Sequence, residues 1–332
     1  MSETVAAARC REQVAHLCER VEAALTALAL PAEPASLYEP VRYVLDGGGK
    51  RLRPVILLLS AQVYGAPVER ALPAALAVEV FHNFTLVHDD IMDHAASRRG
   101  RPTVHRRWDE ATAILCGDYL FALAYSLLFR TEGVDPLLLH DVFGRMVARL
   151  CEGQALDKAF ETQDDVSVEA YLHMIDGKTG ALLEAVLELG GLIGGAGEDQ
   201  RATLREVGQN LGRAFQIQDD LLDLVAPDPR WGKRIGGDLI EGKKTYLLLL
   251  ALERARGEDR AWFERIVREG GLPAEAIPEA RARMERLEVL ASTRQAVASY
   301  TATALEALAH VPAGPALDTL RWLFQQMQAR LH

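Results

Sequence analysis

Lysine is scarce in this chain. Of 37 basic residues only six are lysine, at positions 50, 158, 178, 233, 243 and 244, and arginine supplies the rest. Sustained alternation of apolar and polar residues is missing, which argues against a sheet-built fold. Cys10, Cys18, Cys116 and Cys151 show no CxxC spacing, which excludes a paired-thiol motif. Cys116 and Cys151 lie in apolar helical stretches and are expected to be buried, reduced thiols. No run of about 18 uncharged apolar residues occurs, so no membrane span is expected. The opening MSETVAAARCREQ is interrupted by Glu3 and Glu12 and leads into no apolar signal core, so a cytoplasmic location is expected. Positive charge is short overall. A net charge of −10 and a pI near 5.5 leave no basic footprint for nucleic acid. A phosphorylated small molecule is not excluded, because cationic groups can be gathered locally.

Apolar residues make up 49% of the 332, enough for a sizeable core, and they recur at helical spacing nearly throughout. The expected fold class is all-α, a single large domain over residues 1–332 with roughly ten to thirteen helices. Helices are expected at 5–29, from Pro54 to about 63, and at 72–92, 108–129, 136–160, 167–176 and 179–193. Further ones are expected at 199–225, 245–255, 259–269, 278–309 and 315–330. The segment DGGGKRLRP (46–54) reads as a loop, and 94–107 as a polar connection broken by Gly100 and Pro102.

One acidic pattern occurs twice. Asp89-Asp90-Ile91-Met92-Asp93 closes the apolar stretch FHNFTLVHDDIMD, and Asp219-Asp220-Leu221-Leu222-Asp223 closes FQIQDDLLD. Residues four apart share a helix face, so each copy presents two carboxylates side by side. A lone copy would pass as a solvated turn. Two copies on apolar helices, both at the end where the helix dipole is negative, need a compensating cation. Mg²⁺ fits, since it takes oxygen ligands and is commonly held by one or two carboxylates plus substrate phosphates. Two facing pairs would form a clamp for a diphosphate, with Arg98 and Arg99 able to fork onto a second phosphate.

The few lysines point the same way. Lys50, Lys178, Lys233 and Lys243 each follow a glycine, and Lys244 follows Lys243. A compact ammonium beside a permissive backbone suits a phosphate oxygen. The plain alternative is that glycines mark loops and loops carry charge.

These segments together resemble the trans-isoprenyl diphosphate synthases, or polyprenyl synthetases, of short-chain type. HNFTLVHDDIMDHAASRRGRPTVH is similar to the family's first aspartate-rich motif with its arginine pair, and FQIQDDLLD to the second. GGGKRLRP resembles the isopentenyl diphosphate loop, GKTG the Lys-Thr pair, and GKRIGGDLIEGKKT the lysine-bearing loop; CEGQALD also fits. The likeness runs from about residue 43 to 250 in the family's order. It departs at Arg234, where many relatives have proline.

The resemblance implies helices around a deep central cavity and a head-to-tail prenyltransferase. An allylic diphosphate ionises, isopentenyl diphosphate attacks the cation, and a proton leaves. By resemblance Asp89, Asp93 and Asp219 bind about three Mg²⁺, with Asp90 and Asp223 assisting. Arg98, Lys178 and Lys233 would hold the allylic diphosphate, with Lys243 near it. Lys50, Arg53, His82 and Arg99 would hold the isopentenyl diphosphate. Thr179 and Gln216 would face the reacting carbons. His82 as a core histidine, Thr179 as a helix cap and Gln216 as a structural amide are the plain rivals. A homodimer is expected from the same resemblance.

Product length should follow the apolar residues before the first motif. Phe84 and Phe81 lie about 7.5 and 12 Å along the helix from Asp89. By resemblance a bulky residue at Phe84 gives short products, favouring geranylgeranyl diphosphate (C20) over farnesyl diphosphate (C15). The helical wheel alone aligns Thr85 and Phe81 better with Asp89, and both phenylalanines could be ordinary core. A terpene cyclase would need no GGGKRLRP and no second Asp-rich copy. A phosphohydrolase built on His88-Asp89 lacks a well-placed second histidine. A regulatory subunit would be expected to have lost its aspartates, and all six are present.

Overall fold

The computed structural model describes residues 5–225 and 235–328, and the chain divides into two compact units. The first comprises residues 1–142, 186–201 and 311–322; the second comprises 143–185, 202–310 and 323–332.

The first unit is built from α1 (Val5–Thr26), α2 (Ala35–Leu45), α3 (Leu52–Val63), α4 (Val68–Met92), a hairpin of β1 (Ser97–Arg98) and β2 (Arg101–Pro102), α5 (Val104–Arg107) and α6 (Glu110–Leu128). Every residue of α3 from Pro54 to Ala61 is buried. In α4 the run Ala74–Phe81 is buried throughout, so this helix is enclosed on all sides and its apolar residues show no single stripe. Asp109 caps α6 by accepting the Thr112 N–H at 2.7 Å.

The second unit contains most of α7 (Pro136–Thr162), then α8 (Val168–Ile175), a π-helical turn (Asp176–Gly180) and the start of α9 (Ala181–Gly194). Most of α10 (Glu198–Val225), α11 (Gly237–Ile240), α12 (Tyr246–Arg254), α13 (Gly257–Glu269), α14 (Ile277–Arg286) and α15 (Val289–Ala307) follow; α16 (Pro315–Gln328) ends there. One apolar cluster of this unit centres on Leu221, Leu248, Phe263, Met284 and Val289, all fully buried.

The expected all-α class holds, and the long helices begin and end within a few residues of their expected positions. Four features differ. Helix α2 lies in a stretch, 30–45, for which no element is expected. Pro34 precedes the first turn, and Pro40 omits one backbone bond while its ring is buried beside Val41. The stretch 278–309 is two helices, α14 and α15, separated where Glu288 takes a left-handed φ of 57°. The 94–107 connection contains the β1–β2 hairpin and α5; two-residue strands leave no period to detect. Cys116 is buried as expected, and its thiol pKa is pushed up to about 12 by burial. Cys151 is exposed, because Gly153 two residues on takes the inward position of α7. Helix α6 is long and apolar enough by length and composition to cross a membrane, with Glu110 and Asp118 its only charges.

Candidate active site

In the first unit the loop before α3 is fixed by Arg51, a residue with no role anticipated from the sequence. Its guanidinium is buried. It donates from Nε to Glu22 Oε1 at 2.7 Å, from Nη1 to Glu79 Oε1 at 2.5 Å and from Nη2 to the Leu45 carbonyl at 3.2 Å. Three helices therefore hold the segment that carries Lys50 and Arg53. Burying an arginine requires such pairing.

Arg53 Nη1 lies 3.2 Å from His82 Nε2. An arginine can only donate, so His82 Nε2 accepts and its proton sits on Nδ1. Burial holds the His82 pKa well below the ordinary histidine range, helped by the positive charges of Arg53, Arg99, Arg98 and Arg51. Arg53 and Arg99 thus stand near a neutral imidazole, an arrangement suited to an anion, while the guanidinium of Arg51 is turned onto its carboxylates and that of Arg98 onto Asp90. The β1–β2 turn supplies two of these arginines. Arg99 and Gly100 both take positive φ, 52° and 73°, as a two-residue hairpin turn with primed geometry requires. Arg99 donates to the Gly48 carbonyl of the Lys50 loop, and Arg98 Nε donates to Asp90 Oδ1 at 2.8 Å. A cleft beside them is lined by Tyr43, Asn83, Val87, Asp90, Arg98 and Arg99, among others.

The neutral state of His82 has a measurable consequence. The unfolded chain takes up a proton near pH 6.5, and the folded chain does so only at lower pH. Stability from this group is therefore complete above about pH 6.5 and is lost as the pH falls below it. Melting temperatures at pH 7, 6 and 5 should fall more steeply for the wild type than for His82→Gln.

The first acidic motif ends α4. The Asp93 N–H donates to the Asp89 carbonyl at 2.8 Å, so their side chains leave the same helical face, Asp93 exposed and Asp89 partly so. Asp90 turns inward, 5% exposed, onto Arg98. Burial raises its pKa and Arg98 opposes the rise.

In the second unit the π turn presents Lys178 and Thr179. Lys178 Nζ contacts Asp157 Oδ2 at 2.5 Å. Thr179 donates its hydroxyl to Gln216 Oε1 at 2.9 Å, and Gln216 Nε2 donates to Asp220 Oδ1 at 3.1 Å. Asp220 also accepts from the Tyr171 hydroxyl at 2.5 Å and from the Tyr246 N–H at 3.1 Å. Burial pushes its pKa up to about 7 against these hydrogen bonds, and raises that of Tyr171 well above the usual phenol range. The middle aspartate of the second motif is thus structural, while Asp219 and Asp223, four apart on α10, share another face. Asp223 Oδ2 also accepts the Asp238 N–H at the start of α11, at 3.1 Å.

Each acidic pair taken by itself, Asp89 with Asp93 and Asp219 with Asp223, offers carboxylate oxygens, the donor type a hard divalent cation takes. Among the described residues no cluster of three or more acidic, histidine or cysteine side chains could hold a metal by itself.

The remaining lysines separate. Lys243 pairs with Glu241 at 2.8 Å and is half exposed. Lys244 donates to the carbonyls of Phe160 and Glu161, capping α7. Lys233 lies outside the described residues, as does Arg234. Asp157, which is not among the residues expected at the site, pairs with Lys178, twenty-one residues on.

Phe81 is fully buried, with Phe84 partly exposed beside it at a ring distance of 5.3 Å. Phe84 packs edge-on against His88 at 4.8 Å and against Phe121 of α6 at 5.3 Å, and Tyr125 continues the row. The Thr85 hydroxyl is tied back to the His82 carbonyl at 2.8 Å.

The polyprenyl synthetase family model matches residues 34–284. A geranylgeranyl diphosphate synthase of Methanosarcina mazei is 43% identical over 73% of this chain and 76% of its own length. A geranylfarnesyl diphosphate synthase of Natronomonas pharaonis is 42% identical over 68% and 72%. Among solved structures, a geranylgeranyl pyrophosphate synthase superposes with a TM-score of 0.88 at 39% identity, covering 97% of this chain and 98% of that one. A Caulobacter crescentus polyprenyl synthase, solved with calcium and isoprenyl diphosphate, does so with 0.86 at 31% identity, covering 96% and 97%. The matched segment contains both aspartate-rich helix ends, the arginine hairpin and the π turn, and the chain belongs to the polyprenyl synthetase family.

Proposed function

We propose that the protein joins isopentenyl diphosphate head to tail to an allylic diphosphate and releases geranylgeranyl diphosphate. The observation that carries this reading is the group of Arg53, neutral His82 and Arg99, in the same unit as the Asp89–Asp93 pair. An acidic pair needs only one metal-bound diphosphate; a separate cationic pocket calls for a second. A terpene cyclase has no use for it.

In this reading Asp89, Asp93 and Asp219 hold about three Mg²⁺, with Asp90 and Asp223 assisting. When bound, Mg²⁺ draws charge from the departing pyrophosphate and so favours ionisation. Arg98 and Lys178 bind the allylic diphosphate, with Lys233 and Lys243 contributing. Lys50, Arg53, His82 and Arg99 bind isopentenyl diphosphate; the His82 Nδ1–H is its donor. Thr179 has given its one proton to Gln216, so its oxygen offers only lone pairs to a developing allylic cation. Gln216 is held in that orientation by Asp220. The released pyrophosphate takes the proton lost from the new carbon chain.

Relatives of nearly equal identity carry C20 and C25 names, so identity does not select the product. The choice of C20 rests on Phe84. The proposal takes residues 1–332 as a single functional domain. The proposal includes a homodimer formed through the outer face of α6. There Ile114, Leu115 and, just beyond, Phe129 are 46, 60 and 48% exposed, an apolar surface suited to a second copy. Leu115→Asp should convert the dimer to monomer in light scattering; a wild type already monomeric removes this element.

The whole reading is tested by incubating the protein with labelled isopentenyl diphosphate, Mg²⁺ and each allylic primer, then chromatographing the dephosphorylated products. A C20 alcohol is expected. Products formed without isopentenyl diphosphate, or none at all, would overturn the assignment.

A further inference from the structure

The π turn that carries Lys178 and Thr179 is gripped at its first residue. Asp176 is 7% exposed. It accepts a forked pair from Arg213 on α10, Nε to Oδ1 at 2.7 Å and Nη2 to Oδ2 at 2.5 Å. Gln209, one turn earlier on α10, donates to Oδ2 at 3.1 Å. From α7, Arg149 donates to the Asp176 carbonyl at 3.2 Å and is itself anchored by Glu184 on α9, one contact being 2.9 Å. The neighbouring backbone has no slack: a β-carbon at Gly153 of α7 would lie 2.2 Å from the Lys178 nitrogen.

We infer that Asp176 and Arg213 are positioning residues for the prenyl transfer, acting through the π turn to aim Lys178 and Thr179. The inference rests on the function proposed above. A π turn inserts one extra residue per turn and weakens the local hydrogen bonds, so it persists only where its surroundings hold it. Arg213 binds both carboxylate oxygens, which fixes rotation as well as distance. Asp176 is two residues from the Lys178 ammonium and three from the Thr179 hydroxyl; a twist at the turn's start swings both. Gln216, the Thr179 acceptor, is one helical turn beyond Arg213 on α10. The same helix thus grips the turn at one end and orients the threonine at the other. Neither Asp176 nor Arg213 touches the reacting atoms in this scheme, which separates them from the catalytic residues.

Steady-state kinetics on the full chain with Mg²⁺, isopentenyl diphosphate and an allylic diphosphate provide the test. Asp176→Ala and Arg213→Ala should each lower kcat about a hundredfold, the loss associated with misplacing a reacting group by about an ångström. The double variant should be no slower than either single one, since the two act as a unit. The KM for isopentenyl diphosphate should stay within about twofold of wild type, because its proposed ligands lie elsewhere. Arg213→Lys, which keeps the charge without the fork, should fall in between. In a chain already carrying Lys178→Ala and Thr179→Ala, adding Asp176→Ala should lower kcat less than about threefold further, with nothing left to aim.

Wild-type kcat in a folded Asp176→Ala protein would overturn the inference. So would a full hundredfold loss in the Lys178→Ala, Thr179→Ala background, which would show a general structural role. If Asp176→Ala does not fold, Arg213→Lys is judged by the same two criteria. A wild type that makes no prenyl product defeats the proposed function instead, a result distinct from both.

Discussion

Asp219→Ala is expected to lower kcat by about a thousandfold or more while leaving the fold intact. Removing one carboxylate that stabilises leaving-group charge through a cation withdraws about 4 kcal/mol from the transition state, and each 1.4 kcal/mol is about tenfold in rate. The fold should tolerate the change because the structural work is done one residue later. Asp220, 5% exposed, satisfies Tyr171, Gln216 and the Tyr246 N–H together. Asp220→Ala would strand those three donors in a buried site, and should lower the unfolding free energy by about 2 to 4 kcal/mol. The two neighbours should thus give opposite results: loss of rate at constant melting temperature for Asp219, loss of melting temperature for Asp220. Parallel initial-rate and thermal-denaturation measurements separate them. Near-normal turnover by Asp219→Ala would remove the second motif from metal binding.

Phe84→Ala is expected to change what the protein makes. Phe84 is the partly exposed member of the aromatic group, and Phe81 behind it is fully enclosed. Deleting the Phe84 ring opens space bounded by Phe81, Phe121 and His88, whose rings lie within 5.3 Å of it. A prenyl tail gains about 0.8 kcal/mol for each methylene it buries, so added room is readily filled by further elongation. Products at least one five-carbon unit longer than those of wild type should dominate. Chromatography of the dephosphorylated alcohols reads this directly. An unchanged chain length would show that the floor lies elsewhere. Phe81→Ala, by contrast, should chiefly destabilise, since it empties a closed core position.

The helices and the acidic motifs were legible because each is local. The apolar period of α4 and α10 is written within a few turns, and two carboxylates four residues apart share a face whatever surrounds them. Glycine before lysine singled out Lys178, which lies in the π turn. It could not show which neighbour the ammonium meets, since Asp157 sits on another helix. Lys244, which follows no glycine, turns away to close α7. The grip on the π turn was invisible for the same reason: Asp176 and Arg213 are thirty-seven residues apart, and neither belongs to a motif. Arg51 sat inside GGGKRLRP, yet its two carboxylate partners come from helices on either side of it in the chain. Pro40 is compatible with α2 because losing one bond matters less than placing Val41 and Leu45 in the core.

The anchoring of Arg51 bears on the tempo of substrate capture. A loop already tied to Glu22, Glu79 and Leu45 has little left to arrange when a diphosphate reaches Lys50 and Arg53. Association should therefore proceed in one fast phase set by diffusion and long-range attraction, and should slow as added salt screens the arginines.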